Sequence, residues 1–111
     1  MQNNLVNKHC KPCEGGVKPL TPDEYSAYVR TQLHGWTVQD EKVLNKEYTF
    51  KNFKGALNFV NKVGEIAEIE GHHPDINLHE WNKVTLSLTT HAIGGLSEND
   101  FILAAKIDQI L

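Results

Sequence analysis

No stretch of the 111 residues approaches the ~18 consecutive apolar residues that a membrane-spanning helix requires. The opening residues, Met1-Gln-Asn-Asn-Leu-Val-Asn-Lys, have neither the basic start nor the apolar core of a signal peptide, so a cytoplasmic location is expected. Cysteine is scarce. Cys10 and Cys13 are the only two, too few for a disulfide framework, and a cytoplasmic chain would keep them reduced. A basic cluster is missing too. The net charge is −3 and the lysines are dispersed, which argues against a surface that tracks a nucleic-acid backbone. There are no internal repeats and no low-complexity runs. What is present, 40% apolar and 23% charged residues, is the composition of a globular domain, and the length suits one domain rather than two.

Residues 1–20 read as an irregular N-terminal tail, rich in Asn and Lys, with Gly15-Gly16, Pro12 and Pro19 and little apolar periodicity. The domain, residues 21–111, opens on Thr21-Pro22-Asp23-Glu24. This is a threonine cap, a proline at the first helical position and two acids in the first turn. The helix should run to about Leu33 and stop before Gly35. Trp36–Asp40 and Val43–Phe50 read as two strands of a hairpin. In the second, Leu44, Lys46, Tyr48 and Phe50 share one face.

A long helix is expected from about Asn52 to Glu70. Its apolar stripe is Phe53, Ala56, Leu57, Val60, Val63, Gly64 and Ala67, with Phe59, Ile66 and Ile69 beside it. Gly71 ends it and Pro74 forbids its continuation. Ile76–Trp81 and Lys83–Thr89 read as two further strands; Val84, Leu86 and Leu88 alternate with Thr85, Ser87 and Thr89. Ser97 to Asp100 resembles a capping box for a last helix with Leu103, Ala104, Ile107, Ile110 and Leu111 on one side. The order α-β-β-α-β-β-α, with strands in hairpin pairs, predicts an α+β fold of three helices on one face of a four-stranded antiparallel sheet.

Chemistry concentrates in the histidines. Four of the six, His72, His73, His79 and His91, fall within twenty residues. Three readings compete. A metal site needs convergent ligands, but adjacent histidines usually diverge and no H-x-x-x-H spacing is present. Acid–base catalysis suits imidazole, which titrates near neutrality. No serine or cysteine stands nearby in a nucleophile motif, so such chemistry would be proton transfer. The plainest reading makes His72 and His73 a helix C-terminus complementing the dipole. If the strand were to continue past Thr89, His91 would share the polar face.

The spacing of the whole set carries more. Glu68, three residues, His72-His73-Pro74, six residues, Trp81, nine residues, His91, eight residues, Asp100 resembles the signature of the pterin-4a-carbinolamine dehydratases. The run from His72 to Asp108 is similar to that family nearly throughout, the resemblance spans about residues 20–108, and "CKPCEGGVKPL" resembles the leader of many bacterial members. The resemblance implies dehydration of 4a-hydroxytetrahydrobiopterin to quinonoid dihydrobiopterin, with no metal or organic cofactor. It implies the fold already reached from periodicity. It also implies a homodimer or homotetramer, and an aromatic amino acid hydroxylase as the source of the substrate. His72, His73 and His91 match the catalytic histidines: His73 as the main acid–base residue, His72 assisting and His91 orienting the pterin. Glu68, Pro74, Trp81 and Asp100 match the substrate-binding set, although Asp100 also suits a helix cap and Trp81 the sheet core. Thr89 stands where many bacterial members have tryptophan, and His79 has no equivalent.

Two other functions compete with the enzyme. One is a homo-oligomeric protein-binding module with a minor catalytic role. The other is a zinc-dependent hydrolase. Cys10 and Cys13 form a C-x-x-C with only His9 beside it, short of a closed zinc site, so a plain tail segment is expected.

Overall fold

The computed structural model describes residues 4–12 and 17–110. Cys13 lies outside the described residues, so the C-x-x-C pair is seen only through Cys10.

Three helices, α1 (Pro22–Gln32), α2 (Phe53–Glu70) and α3 (Glu98–Asp108), pack on one face of a sheet made of β1 (Thr37–Gln39), β2 (Val43–Thr49), β3 (Asp75–His79) and β4 (Lys83–Leu88). The strand order is β1-β2-β4-β3 and every pairing is antiparallel. This is the α+β architecture that the sequence predicts. Local chemistry sets the helix starts. Thr21 and Glu24 form a reciprocal capping box on α1, and Asn52 accepts the Gly55 amide at the start of α2. Ser97 and Asp100 form the capping box of α3, as their spacing anticipates.

Leu44, Leu86 and Leu88 project from the sheet into the helical layer and are fully buried; Tyr48 and Trp36 are nearly so. Burial of each such side chain is worth about 1.5–3 kcal/mol. Lys46, on the same face, threads its stem past Tyr48 and brings its ammonium to Asp108, whose carboxylate also accepts the Trp36 indole N–H and the His34 amide.

Four expectations need correction. The buried arc of α2 is Ala56, Phe59, Val63 and Ala67, with Val60 and Ile66 at its margins. Phe53 and Leu57 are 49% and 40% exposed, and Ile69 faces solvent. The helix carries apolar residues on two neighbouring stripes, and periodicity alone does not say which one meets the sheet. Second, α3 is buried almost all round: Phe101, Ile102 and Ala105 are covered along with Leu103, Ala104 and Ile107. Third, Trp81 belongs to neither strand nor core. It lies 61% exposed in the β3–β4 turn, where Glu80 and Trp81 both have positive φ (51° and 58°). Asp40 and Glu41 turn the other hairpin in the same way, at 54° and 58°. Two consecutive left-handed residues match the right-handed twist of the flanking strands. The fourth concerns His91. β4 stops at Leu88, and His91–Ile93 form one 3-10 turn, so the polar-face parity does not reach it.

The outer side of α3 is covered by residues 4–12. They are irregular apart from a single turn at Leu5–Asn7, yet Leu5 is fully buried in the common core. The Leu5 amide donates to Gln32 Oε1 at 2.7 Å, Lys106 Nζ donates to the Val6 carbonyl at 2.9 Å, and Lys8 pairs with Glu98 at 2.8 Å. Residues 4–12 are irregular, as the sequence suggests, and form a docked strap. Among the described residues, no helix is long and apolar enough to cross a membrane.

Candidate active site

α2 ends on Gly71, whose φ of 67° is the left-handed conformation that a C-terminal glycine supplies, and its amide closes onto the Ala67 carbonyl. The chain then turns through His72, His73 and Pro74 into β3. At this corner the two histidines diverge. His72 points inward, with 14% of its side chain exposed, and its Nε2–H donates to Asp100 Oδ1 at 2.6 Å. His73 points outward, 61% exposed, and its Nε2–H donates to Glu68 Oε2 at 2.6 Å. A carboxylate only accepts, so in each neutral imidazole the proton belongs on Nε2 and the lone pair on Nδ1. Both rings therefore have an acceptor nitrogen free of these carboxylates.

Asp100 is completely buried and fully used. Besides His72 it accepts the Ser97 amide at 3.0 Å and the Thr90 hydroxyl at 2.9 Å. One carboxylate thus caps α3, fixes the end of β4 and orients an imidazole, so the choice between cap and site residue dissolves. The Thr90–Gly95 bridge closes the loop that contains the His91 turn. Gly95 is needed there because a Cβ would lie 2.7 Å from Pro19.

His72, His73 and His91 line one cleft of about 510 Å³, together with Thr89, Thr90, Glu70, Asn99 and the strap residues Cys10, Lys11 and Pro12. That volume suits a small heterocycle. His91 is exposed at its rim. Asp100, buried, and Glu68, exposed, do not line the cleft but bond its histidines, and Pro74 forms the corner beside it. Trp81 is not brought to the cleft: it occupies the far end of β3, roughly 16 Å away at ~3.3 Å per residue. Thr89 adds no aromatic wall; its hydroxyl donates to the Lys42 carbonyl at 2.6 Å. His79 lies apart on the open sheet face, between Glu80 and Thr85.

Besides the strap residues Cys10, Lys11 and Pro12, the contributors Glu70, Asn99 and Thr90 escape the sequence reading. Glu70 has a signal, since an acid in the last turn of a helix opposes the dipole unless something compensates it. Its carboxylate, 3% exposed, accepts the Cys10 amide at 2.8 Å and the His9 ring at 2.9 Å, with Lys106 at 3.6 Å. Burial pushes this carboxyl up, but the Cys10 amide, His9 and Lys106 together outweigh burial and hold it below the usual range. Asn99 and Thr90 have no local signal. Burial, with the charges of Glu70 and Asp100, pushes the Cys10 thiol up to about 12, so it stays protonated and is no nucleophile. Among the described residues, no three His, Cys, Asp or Glu side chains are placed to hold a metal ion.

Fold and cleft define a class: a small α+β domain with a histidine-lined cleft in which two of the imidazoles are held by carboxylates. Comparison with known proteins narrows it. The family described as pterin 4 alpha carbinolamine dehydratase matches residues 18–110. A protein of Alkaliphilus metalliredigens named "Putative pterin-4-alpha-carbinolamine dehydratase" is 51% identical over 108 residues, covering 96% of each chain. One of the same name from Rubrobacter xylanophilus is 47% identical, covering 97% of this chain and 99% of its own. A Brucella melitensis structure described as a transcriptional coactivator/pterin dehydratase superposes with a TM-score of 0.76 at 31% identity, over 84% of this chain and 98% of that one. A pterin dehydratase-like RuBisCO assembly factor shares the fold, with a TM-score of 0.58 at 23% identity over 69% of this chain and 89% of its own. The chain belongs to the pterin carbinolamine dehydratase family.

Proposed function

We propose that the protein dehydrates 4a-hydroxytetrahydrobiopterin to quinonoid dihydrobiopterin, recycling the pterin cofactor of an aromatic amino acid hydroxylase. The observation that carries this is the pair of carboxylate-held histidines sharing one cleft with His91. The reaction breaks the C4a–O bond. The hydroxyl leaves as water after taking a proton, and a ring nitrogen gives one up, so the protein needs only positioned proton donors and acceptors. His73, in contact with water, is the main acid–base residue. His72, held by Asp100, assists, and His91 at the rim orients the pterin. Acid–base catalysis of this kind contributes about 10²–10⁴-fold.

The same reading includes a homo-oligomer. Phe53, Leu57, Val60 and Gly64 follow one another at four, three and four residues along α2, a spacing suited to a helix–helix seam, and two of them are exposed large side chains. Stopped-flow dehydration of synthetic 4a-hydroxytetrahydrobiopterin, with and without the protein, tests the activity. Acceleration is expected; its absence overturns the proposal. Sedimentation velocity tests the assembly.

A further inference from the structure

The family match begins at residue 18, yet one wall of the cleft lies before it. Cys10, Lys11 and Pro12 line the same cleft as His72, His73 and His91. This wall is held by two anchors on different helices. Asn99, in the first turn of α3 and 8% exposed, grips the Lys11 backbone from both sides: its Oδ1 accepts the Lys11 amide at 3.0 Å and its Nδ2 donates to the Lys11 carbonyl at 2.6 Å. Glu70, at the last turn of α2, takes the Cys10 amide and the His9 ring. A docked segment needs no such double grip to stay attached, since Leu5 already supplies an apolar foothold further back. The grip fixes where residues 10–12 stand relative to the imidazoles.

We infer that residues 10–12 are a substrate-contacting wall of the cleft and that Asn99 and Glu70 are its positioning residues. They act on the pterin through the strap and take no part in proton transfer. The inference rests on the dehydratase reading for the identity of the ligand. It adds a binding element outside the histidine signature. A wall that contacts ground state and transition state alike contributes uniform binding, which appears in KM and leaves kcat nearly alone.

The test uses the full-length protein and Asn99→Ala, with Glu70→Ala as a second variant. Among the described residues, both side-chain bonds of Asn99 go to Lys11, so its removal releases Lys11 from α3 while Leu5 and Glu70 still hold the strap and the core stays in place. Two lost hydrogen bonds should raise KM about five- to tenfold, with kcat changing less. The dissociation constant of unreactive 7,8-dihydrobiopterin, read by fluorescence titration, should rise in parallel. An unchanged KM and dissociation constant in both variants, or a fall in kcat at constant KM, overturns the inference. If the wild-type protein fails to accelerate dehydration, the titration still decides. Weaker binding by Asn99→Ala then upholds the wall while the dehydratase reading falls, and a wild-type protein that binds no dihydrobiopterin overturns both.

Discussion

His72 and Asp100 meet at 2.6 Å between the end of α2 and the first turn of α3, and the same carboxylate accepts from Ser97 and Thr90. The tautomer of His72 is thus tied to the cap of another helix. Asp100→Asn keeps the shape but offers Nε2 an amide instead of an anion. A fall in kcat of about tenfold to a hundredfold for pterin dehydration is expected, within the range that one acid–base group supplies. Asp100→Ala should in addition cost about 1–3 kcal/mol in urea denaturation, because it strands the Ser97 amide and leaves the Thr90 hydroxyl only Ser97 Oγ as a partner. An Asp100→Asn enzyme with wild-type kcat would remove His72 from the proton path.

His73 offers the cleaner separation of chemistry from stability. Its side chain is mostly in solvent, and its partner Glu68 is 79% exposed. His73→Ala is expected to lower kcat by ~10²–10³ while the melting temperature stays within about 4 °C, since exposed substitutions of this kind rarely cost more than ~0.5 kcal/mol. Stopped-flow kinetics beside a calorimetric scan reads both.

Gly71 is fixed by its backbone. At φ 67°, with open space where a Cβ would stand, Gly71→Ala meets no clash, and its cost is conformational alone, about 1 kcal/mol. Thermal unfolding measures it, and an unchanged midpoint would mean the helix exit relaxes into another turn.

Leu5 tests whether the strap belongs to the folding unit. Its side chain is fully buried, so Leu5→Ala should cost about 2–5 kcal/mol in denaturant titration. A loss below about 0.5 kcal/mol would mean that the strap docks as an appendage.

The strap should also respond to acid. The Lys8 contact holds the Glu98 carboxyl below its ordinary value of 4.5, and Glu70 is held below 4.5 by the Cys10 amide, His9 and Lys106 against the upward push of burial. A carboxyl depressed in the folded state stabilises above its unfolded value, and that contribution disappears as the pH falls through its folded value. Hydrogen exchange of residues 4–12 is therefore expected to be protected at neutral pH and to lose protection below about pH 4.5. Equal protection at both ends of that range would rule the two carboxylates out as anchors.

The sequence spoke clearly wherever a signal was local. Thr21-Pro22-Asp23-Glu24, Gly71 before Pro74, and the alternation of Val84, Leu86 and Leu88 each place an element within a residue or two of its position. The histidines of the cleft were legible as well, through their spacing. What escaped depends on distant partners. Leu5 in a polar, glycine-bearing stretch looks like tail until α3 is there to receive it. Phe53 and Leu57 look like core because α2 has two apolar stripes and only the tertiary fold selects one. Asn99 contacts Lys11 across 88 residues of chain, which no periodicity reports. Trp81 failed for a local reason: Glu-Trp is an unusual pair at two left-handed turn positions, and β-propensity outvoted the turn.

The divergence of His72 and His73 has one more consequence. One imidazole rests against a dry, buried carboxylate; the other, one peptide bond away, stands in bulk water. In the proposed reaction the boundary between interior and solvent is a single residue wide at this corner. A proton handed between pterin and solvent has to traverse no channel and wait for no opening. The glycine-led turn thereby sets the reaction's connection to the surrounding buffer, and enzymatic turnover should be sensitive to what the solvent can donate or accept at His73.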